Sequence, residues 1–315
     1  MSDSYLQNLT LLLAEGAARL DEPLRRRHTQ FLLGCQAADG GFPGRDGPSD
    51  LYYTAFGLRG LAVLGQLDGL PARRAAGYLQ SRLAGHVPLV DVLSLIYAAS
   101  LLELAAGIAV FEGALPNWRA ALAQELERFR RPDGGYAKSD QGEMSSLYHT
   151  FLVVLCYQLL EQPLAGASQL AAFVASRRRD DGGFVEFAPM RTSGTNPTAA
   201  GVALLRLLNA CDEETRAAAG DFLAAMQTEE GGFRANGQIP LADLLSTFTA
   251  LASLADLELL HLADLPAAAA YVRALEQPGG GFSAGTWDPG VDVEYTFYGL
   301  GSLALLETAD GRTGR

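Results

Sequence analysis

Two carboxylates, Asp292 and Glu294, lie two residues apart in the segment "VDVEYTFYGL", which carries no other charge. A carboxyl group that is buried or placed beside another negative charge has a raised pKa, and such a group can stay protonated and act as an acid. Two carboxylates on adjacent helical turns can also hold a metal ion. We therefore predict that Asp292 and Glu294 are catalytic, while a plain helix-capping role for Asp292 remains the alternative.

Aromatic side chains form a second group of candidates at the starts of apolar segments. The face of an aromatic ring attracts a cation and also covers apolar surface, so these residues could bind an apolar substrate or stabilise a carbocation. Packing in the protein core is the alternative for each of them. The predicted substrate-binding residues are Tyr52, Tyr53, Tyr148, Phe248, Trp287, Tyr295 and Tyr298, together with the polar His149 in "SLYHTF".

A pattern of two glycines and an aromatic residue repeats along the chain. Its aromatic residue is Phe42, Tyr136, Phe184, Phe233 or Phe282. The later positions lie 48 or 49 residues apart, and the first gap is about twice as long. This spacing predicts six repeats of about 48 residues, one of which has no glycine pattern.

Each repeat contains an amphipathic helix, a glycine loop and a second helix with almost no charge. The second helices are predicted to begin at the capping residues Asp50, Asp91, Ser146, Asn196, Asp243 and Asp292. A helix that is apolar around most of its surface must be shielded on most sides. We therefore predict an all-α fold, an (α/α)6 toroid in which six inner helices line a cavity and six amphipathic helices surround them.

The predicted boundaries follow from the repeats. Residues 29–307 form a single toroid domain, preceded by a helical extension over residues 1–28 and followed by a flexible tail over residues 308–315. The arginine cluster at residues 177–179 closes an outer helix. We expect Cys156 to be a buried apolar residue, and His28, His86 and His261 to lie on solvated helices or loops.

Composition limits the classes of function. The 315 residues are 49% hydrophobic and carry a formal net charge of −12, which argues against a nucleic-acid partner. No uninterrupted apolar run reaches the roughly 18 to 20 residues that span a bilayer, so we predict no integral membrane segment. The N-terminus has no pattern of a signal peptide, and the three cysteines are far apart, so we expect a cytoplasmic protein with reduced thiols.

Several of these segments resemble the terpenoid cyclase and protein prenyltransferase superfamily, and most closely the β subunits of protein prenyltransferases. The segments are "FLLGCQAADGGF", "GPSDLYYTAFGLRGLAVLG", "LVDVLSLIYAAS" and "VDVEYTFYGL". The resemblance covers residues 29–307 and implies a toroid whose lumen binds an isoprenoid. It also implies a catalytic zinc ion, held by an aspartate, a cysteine two residues later and a histidine on the next inner helix.

The zinc ligands of that family have no counterpart in this chain. Three registers of the repeats are possible, and they place at the ligand positions Asp243, Leu245 and Tyr295, or Asp292, Glu294 and Tyr53, or Asn196, Thr198 and Ser246. None restores an Asp-Cys-His set, so the sequence predicts no zinc and no other cofactor, with Mg²⁺ only for a diphosphate substrate.

The diphosphate-binding and acid motifs of the superfamily are also altered. Leu93 replaces the family's arginine, and the cations of the glycine loops are scattered single residues. The chain has no D-x-D-D motif of the class II terpene cyclases. The helical-repeat α subunit that protein prenyltransferases need is not indicated.

Three hypotheses remain open at this point. The chain is an enzyme of prenyltransferase or terpene cyclase type with a divergent, zinc-free site, or a protein that binds a lipid or isoprenoid without catalysis, or a scaffold with a filled lumen. The first two imply a small apolar ligand of isoprenoid type as the partner.

Overall fold

The computed structural model describes residues 4–82, 89–111 and 117–313. The helices are α1 (Tyr5–Ala17), α2 (Glu22–Cys35), α3 (Leu51–Val63), α4 (Gly69–Ser81), α5 (Leu89–Ala106), α6 (Trp118–Leu126), α7 (Leu147–Leu159), α8 (Ala167–Ala175), α9 (Thr195–Leu207), α10 (Glu213–Ala224), α11 (Leu244–Asp256), α12 (Leu265–Ala274) and α13 (Val293–Thr313). Short antiparallel hairpins pair β1 (Phe42–Pro43) with β2 (Ser49–Asp50), β3 (Phe233–Arg234) with β4 (Ala242–Asp243), and β5 (Phe282–Gly285) with β6 (Asp288–Asp292).

The chain forms two compact units. Unit 1 consists of Met1–Trp118 and Val272–Arg315, and unit 2 consists of Arg119–Tyr271. The helices follow one another as the six predicted pairs, from α2 and α3 to α12 and α13, with α1 in front of them. The pair formed by α4 and α5 is the repeat without a glycine pattern.

The glycine pattern forms the same hydrogen-bonded corner in each repeat that has it, for example around Phe184. The backbone N–H of Phe184 donates to Thr198 Oγ1 on α9 at 2.9 Å. The Asp181 carboxylate accepts the N–H of Gly183 at 3.0 Å and the hydroxyl of Ser193 at 2.8 Å. Equivalent bonds to a helix threonine join Phe42 to Thr54, Tyr136 to Thr150, Phe233 to Thr247, and Phe282 to Thr296.

The second glycine of the pattern allows a helix of the next repeat to approach closely. A Cβ atom on Gly183 would lie 2.8 Å from the ring of Phe222 on α10. The same contact recurs at Gly41 with Tyr78, Gly135 with Phe173, Gly232 with Tyr271, and Gly281 with Phe31. The last contact lies within unit 1 and joins the final repeat to α2, so unit 1 is built from both ends of the chain.

His28 on α2 is part of this junction and is fully buried. Its Nδ1 atom accepts the N–H of Gly281 at 3.1 Å, its Nε2 atom lies 3.2 Å from Glu276 Oε1, and its ring stacks on Phe282 at 4.7 Å. Gly279 stands where three other repeats have an aspartate that accepts this N–H, namely Asp39, Asp133 and Asp181. The prediction of a solvated His28 was therefore wrong, because the imidazole replaces the missing carboxylate.

The other two histidines expected at the surface have different outcomes. His261 is exposed, as predicted. His86 lies outside the described residues. Cys156 is fully buried in α7, which confirms its interpretation as an apolar core residue.

Capping residues start the second helices mostly where the sequence predicts. Asp50, Ser146, Asp243 and Asp292 each accept the backbone N–H three residues later. Two predicted caps were wrong: α9 is preceded by Gly194, so Asn196 lies inside that helix, and Asp91 is the third residue of α5.

The register of α5 explains the error at Asp91. Thr198 Oγ1 donates to the carbonyl of Gly194, four residues earlier, and Ser94 Oγ donates in the same way to Val90. Val90 therefore has the position in α5 that Gly194 has before α9, and Asp91 lies one residue past it, inside a helix that begins at Leu89.

The predicted domain boundaries fall inside helices. Residue 28 lies within α2, and residue 307 lies within α13, which continues to Thr313. Residues 314 and 315 are outside the described part of the chain. In unit 1, α1 packs against α3 and α13, and its Thr10 hydroxyl lies 2.5 Å from the Tyr97 hydroxyl of α5.

By length and composition alone, α5 is the single helix in the described residues that could cross a membrane, and 56% of it is buried inside the protein. A buried core helix satisfies the same criterion. Asp91 and Glu103 interrupt its apolar residues, so the helix contains no uninterrupted apolar run long enough to span a bilayer.

Candidate functional site

The first turns of α3 and α13 bring Tyr52 and Glu294 together in unit 1. Each is the second residue of its helix, and the two helices pack against each other. The Tyr52 hydroxyl donates to Glu294 Oε1 at 2.6 Å, and the Tyr298 hydroxyl lies 3.4 Å from the same oxygen. The structure thus places one predicted catalytic carboxylate against two of the predicted aromatic residues.

The surroundings of Glu294 favour its protonated form. Burial raises the pKa of this half-buried carboxyl group, and the negative charge of Asp292 raises it further. The hydrogen bond from Tyr52 and the positive charge of Arg59 act in the opposite direction without reversing the shift. Glu294 is therefore protonated at a higher pH than an ordinary glutamate.

Asp292 has a different role from Glu294. Its side chain is buried and caps α13 by accepting a hydrogen bond from the N–H of Tyr295 at 2.9 Å. The same carboxylate accepts a hydrogen bond from Arg45 Nε at 2.9 Å. Arg45 is also bound by Asp288 Oδ2 at 2.7 Å. The two predicted catalytic carboxylates thus lie in separate hydrogen-bond networks, and Asp292 acts on Glu294 through its charge.

Aromatic rings surround the Glu294 side of α3 and α13. The ring centre of Phe56 lies 5.0 Å from Tyr52, 5.3 Å from Tyr298 and 5.7 Å from Phe297. Phe56, Phe297 and Tyr298 are buried. These rings provide apolar surface and π faces within reach of the acid.

Arg59 is a functional candidate that the sequence analysis missed. Its guanidinium carbon lies 3.8 Å from the ring centre of Phe297, 4.7 Å from Phe56 and 5.4 Å from Tyr97. Its buried Nε atom has no hydrogen-bond partner in the described part of the chain. The available signal was that Arg59 is the single charged residue of α3. Its position shows that the ring cluster accommodates a positive charge.

A second cluster of titratable side chains lies in unit 2. Ser146 Oγ, at the start of α7, lies 2.7 Å from His149 Nδ1 and donates to Glu186 Oε1. The ring of His149 meets the ring of Tyr148 edge to face at 5.4 Å. Glu186 was also missed, although an acidic residue between Phe184 and Phe187 is a signal of a buried carboxyl group.

The remaining predicted residues are distributed over both units. In unit 1, Tyr53 and Tyr295 are half-buried beside the acid, whereas Trp287 is 54% exposed in the turn between β5 and β6. In unit 2, Tyr148 is 42% exposed and Phe248 is buried in α11. Their roles in substrate binding remain predictions.

The residues at the positions that correspond to the zinc ligands of protein prenyltransferase β subunits do not fit a zinc site. Asp243 caps α11 and accepts the N–H and hydroxyl of Ser246 at 2.7 and 2.8 Å, and Asp292 is paired with Arg45. Thr198 uses its hydroxyl in the corner around Phe184. Within residues 4–82, 89–111 and 117–313, no three His, Cys, Asp or Glu side chains are grouped so that they could hold a metal ion.

The family of the chain is defined by comparison with known domains. The model of the prenyltransferase alpha-alpha toroid domain matches residues 19–89 and 198–313, which is more than half of the chain. The chain belongs to this family, and the predicted all-α toroid fold class is confirmed. A comparison with curated protein sequences finds no match.

Solved structures with similar folds contain different ligands. Protein geranylgeranyltransferase-I from Candida albicans, complexed with GGPP, matches with a TM-score of 0.72 and 18% identity over 90% of this chain and 91% of that chain. A variant of the type II terpene cyclase MstE from Scytonema, in complex with geranylgeranyl dihydroxybenzoate as substrate, matches with a TM-score of 0.61 and 15% identity over 97% and 99%. A glycosidase in complex with glucose matches with a TM-score of 0.55 and 15% identity over 96% and 98%. Such low identities show the fold alone, so the function must be argued from the side chains.

Proposed function

We propose that this protein is an isoprenoid-converting enzyme of terpene cyclase type, in which Glu294 donates a proton to a carbon–carbon double bond of the substrate. The observation that carries the proposal is the half-buried Glu294 carboxyl group, which has a raised pKa and lies beside Tyr52, Tyr298 and a cluster of aromatic rings. The fold family and the isoprenoid ligands of two structural neighbours support the substrate class.

Protonation of an alkene requires an acid that is neutral before the reaction and whose anion is stabilised afterwards. The Glu294 O–H bond breaks and its proton forms a C–H bond with the electron pair of the alkene, which leaves a cation on the neighbouring carbon. The hydrogen bond from Tyr52 and the charge of Arg59 stabilise the resulting carboxylate. The faces of Phe56 and Tyr298 can stabilise the carbocation.

Ionisation of a prenyl diphosphate is less well supported by the same site. A diphosphate is held by several charge-assisted donors. Near Glu294, Arg45 is already bound by Asp288 and Asp292, and Arg59 lies among aromatic rings. We therefore favour protonation over release of diphosphate, and Mg²⁺ is expected only if the substrate is a diphosphate.

The proposal is tested by incubating the protein in D₂O with C10 to C20 prenyl diphosphates and with a geranylgeranyl-substituted aromatic acid. Products are analysed by mass spectrometry, and released pyrophosphate is measured. We expect cyclised products that carry solvent deuterium and retain the diphosphate where one was present. The Glu294→Gln variant should lose about 100-fold or more of this activity, whereas Glu307→Gln, several turns further along α13, should retain it.

Three results would contradict the proposal. Pyrophosphate release without deuterium incorporation would indicate ionisation, and full activity of Glu294→Gln would exclude this residue as the acid. Saturable binding of the isoprenoids without any product would support a binding protein instead. The cytoplasmic location and the absence of an α-subunit partner remain predictions.

A further inference from the structure

In unit 2, the side chains of His149 and Glu186 both contact the hydroxyl group of Ser146. Ser146 Oγ accepts the backbone N–H of His149 at 3.1 Å, lies 2.7 Å from the Nδ1 atom of the same histidine, and is bonded to Glu186 Oε1. Ser146 is fully buried, and Glu186 and His149 are half-buried. The cluster is separate from the hydrogen bonds of Glu294 described above.

A serine hydroxyl has one hydrogen to donate and two lone pairs that accept. One lone pair is used by the N–H of His149, so two arrangements satisfy all the contacts. In the first, Ser146 donates to the Glu186 carboxylate and accepts from Nδ1–H, which leaves Nε2 of His149 without a proton. In the second, a protonated Glu186 donates to Ser146, Ser146 donates to Nδ1, and Nε2 carries the proton.

The two arrangements differ by one proton and by the positions of two others. We infer that Glu186, Ser146 and His149 form a proton relay. In this relay, Nε2 of His149 accepts a proton from a bound substrate, and the carboxylate of Glu186 becomes protonated. When Nε2 gains a proton, the Nδ1 proton moves to Ser146 Oγ and the hydroxyl proton moves to Glu186. The imidazole is neutral before and after the transfer.

The charged groups around the relay are compatible with a neutral imidazole. Burial lowers the pKa of His149, and the charge of Lys138 lowers it further. Burial raises the pKa of Glu186, while the N–H of Tyr148, 3.2 and 3.3 Å from its two oxygens, and the charge of Arg177 oppose the shift. Glu186 thus takes up a proton more readily than an ordinary glutamate, and His149 less readily than an ordinary histidine.

The relay suits a ligand that lies against His149 in unit 2 and carries an acidic C–H or O–H bond. When that bond breaks, its electron pair stays on the ligand and its proton goes to Nε2. The negative charge of Glu186 is neutralised in the same step, so the basic carboxylate acts on the ligand only through Ser146 and the imidazole.

The test uses the whole protein and observes the tautomer of His149 by ¹⁵N–¹H NMR, independently of turnover. We expect Nδ1–H at pH 8 and, on acidification, a change to neutral Nε2–H before any imidazolium forms. In Glu186→Gln we expect no such change between pH 8 and pH 5, whereas the exposed Glu143→Gln control should behave like the wild type. The pH titration of the wild type decides the question even if Glu186→Gln does not fold.

An imidazolium that forms directly from the Nδ1–H tautomer would overturn the relay, and so would an Nε2–H tautomer at pH 8. The tautomer of His149 is observed without turnover, so this outcome is independent of the proposed role of Glu294.

Discussion

Glu294 lies under the influence of two charges with opposite effects on its pKa. Asp292 raises the pKa and Arg59 lowers it, while burial supplies the largest contribution. The raised pKa also affects stability, since burial penalises the carboxylate. The stabilising contribution of protonated Glu294 is complete below the pKa of an unfolded glutamate, about 4.3. It is lost as the pH rises through the higher folded-state value.

The pH dependence of the proposed reaction should therefore be adjustable by single substitutions. A general acid must be protonated, so kcat/KM falls as the pH rises through the raised pKa of Glu294. Asp292→Asn keeps a capping side chain and removes a negative charge, so it should move this decline about 1 pH unit lower. Arg59→Met should move it in the opposite direction, and a decline that shifts in neither variant would contradict the assignment of the acid.

His28 supplies a second prediction, for stability. Burial lowers the pKa of His28 below that of an unfolded histidine, about 6.5. The folded state therefore gains stability from neutral His28 above pH 6.5 and loses it as the pH falls through 6.5 toward the lower folded-state pKa. His28→Gln should lower the unfolding free energy at pH 7.5 by about 2 kcal/mol and should weaken the loss of stability between pH 7.5 and pH 5.5.

This prediction is checked by thermal unfolding at the two pH values, with the exposed His261→Gln as the control. The control should change neither the melting temperature nor its pH dependence. An equal loss of stability on acidification in the wild type and in His28→Gln would show that His28 is not the responsible group.

The sequence indicates some of these residues and misses others for physical reasons. Glu294 is recognisable because a charge in an apolar helix needs a partner. The partner itself, Tyr52, is 242 positions away, and only the packing of α3 against α13 brings the two together. Glu186 and His28 were missed because their burial depends on loops and helices of other repeats.

At the scale of the elements, the glycine pattern determines how successive repeats pack. The second glycine leaves room for an aromatic ring of the next helix, and the aromatic residue of the pattern fills the corner above the second helix. The spacing of this pattern predicts the number of helix pairs. It does not predict the exact start of a second helix without the pattern, which is why Asp91 was taken for a cap.

Filling one of these close contacts should destabilise the fold. A Cβ at position 183 would lie 2.6 Å from Ser193 Cβ and 2.8 Å from the Phe222 ring. We expect Gly183→Ala to lower the unfolding free energy by about 2 kcal/mol. Gly34→Ala is the matched control, since a Cβ there has nothing within 4 Å and an exposed helical alanine is favoured by up to about 1 kcal/mol.

Chemical denaturation of both variants measures these differences. Combining Gly183→Ala with Phe222→Leu should cost less than the sum of the single changes, because the smaller side chain gives the new methyl group room. Strict additivity would contradict a direct contact between the glycine and the ring.

At the scale of the whole molecule, unit 1 joins segments from the two ends of the chain. Its helices α1 and α3 pack against α13, and His28 and Phe31 of α2 contact Gly281 in the last repeat. The members of these pairs are separated by about 240 to 300 positions. The long chain segment between them must therefore close into a loop before the contacts can form. A fragment that ends after residue 118 lacks the partners that bury the apolar faces of α1 and α3.

We therefore expect residues 1–118 alone to show no cooperative thermal transition and to bind a hydrophobic dye, because the fragment exposes the surfaces that α13 and the final glycine corner cover. The matched variant joins residues 1–118 to residues 272–315 through a flexible Gly/Ser linker and should regain a cooperative transition, since it contains all of unit 1. Circular dichroism during heating, with dye fluorescence, distinguishes the two outcomes. Cooperative unfolding of the short fragment would show that the first repeats are stable without the C-terminal helix, and unit 1 would then not depend on the meeting of the two ends.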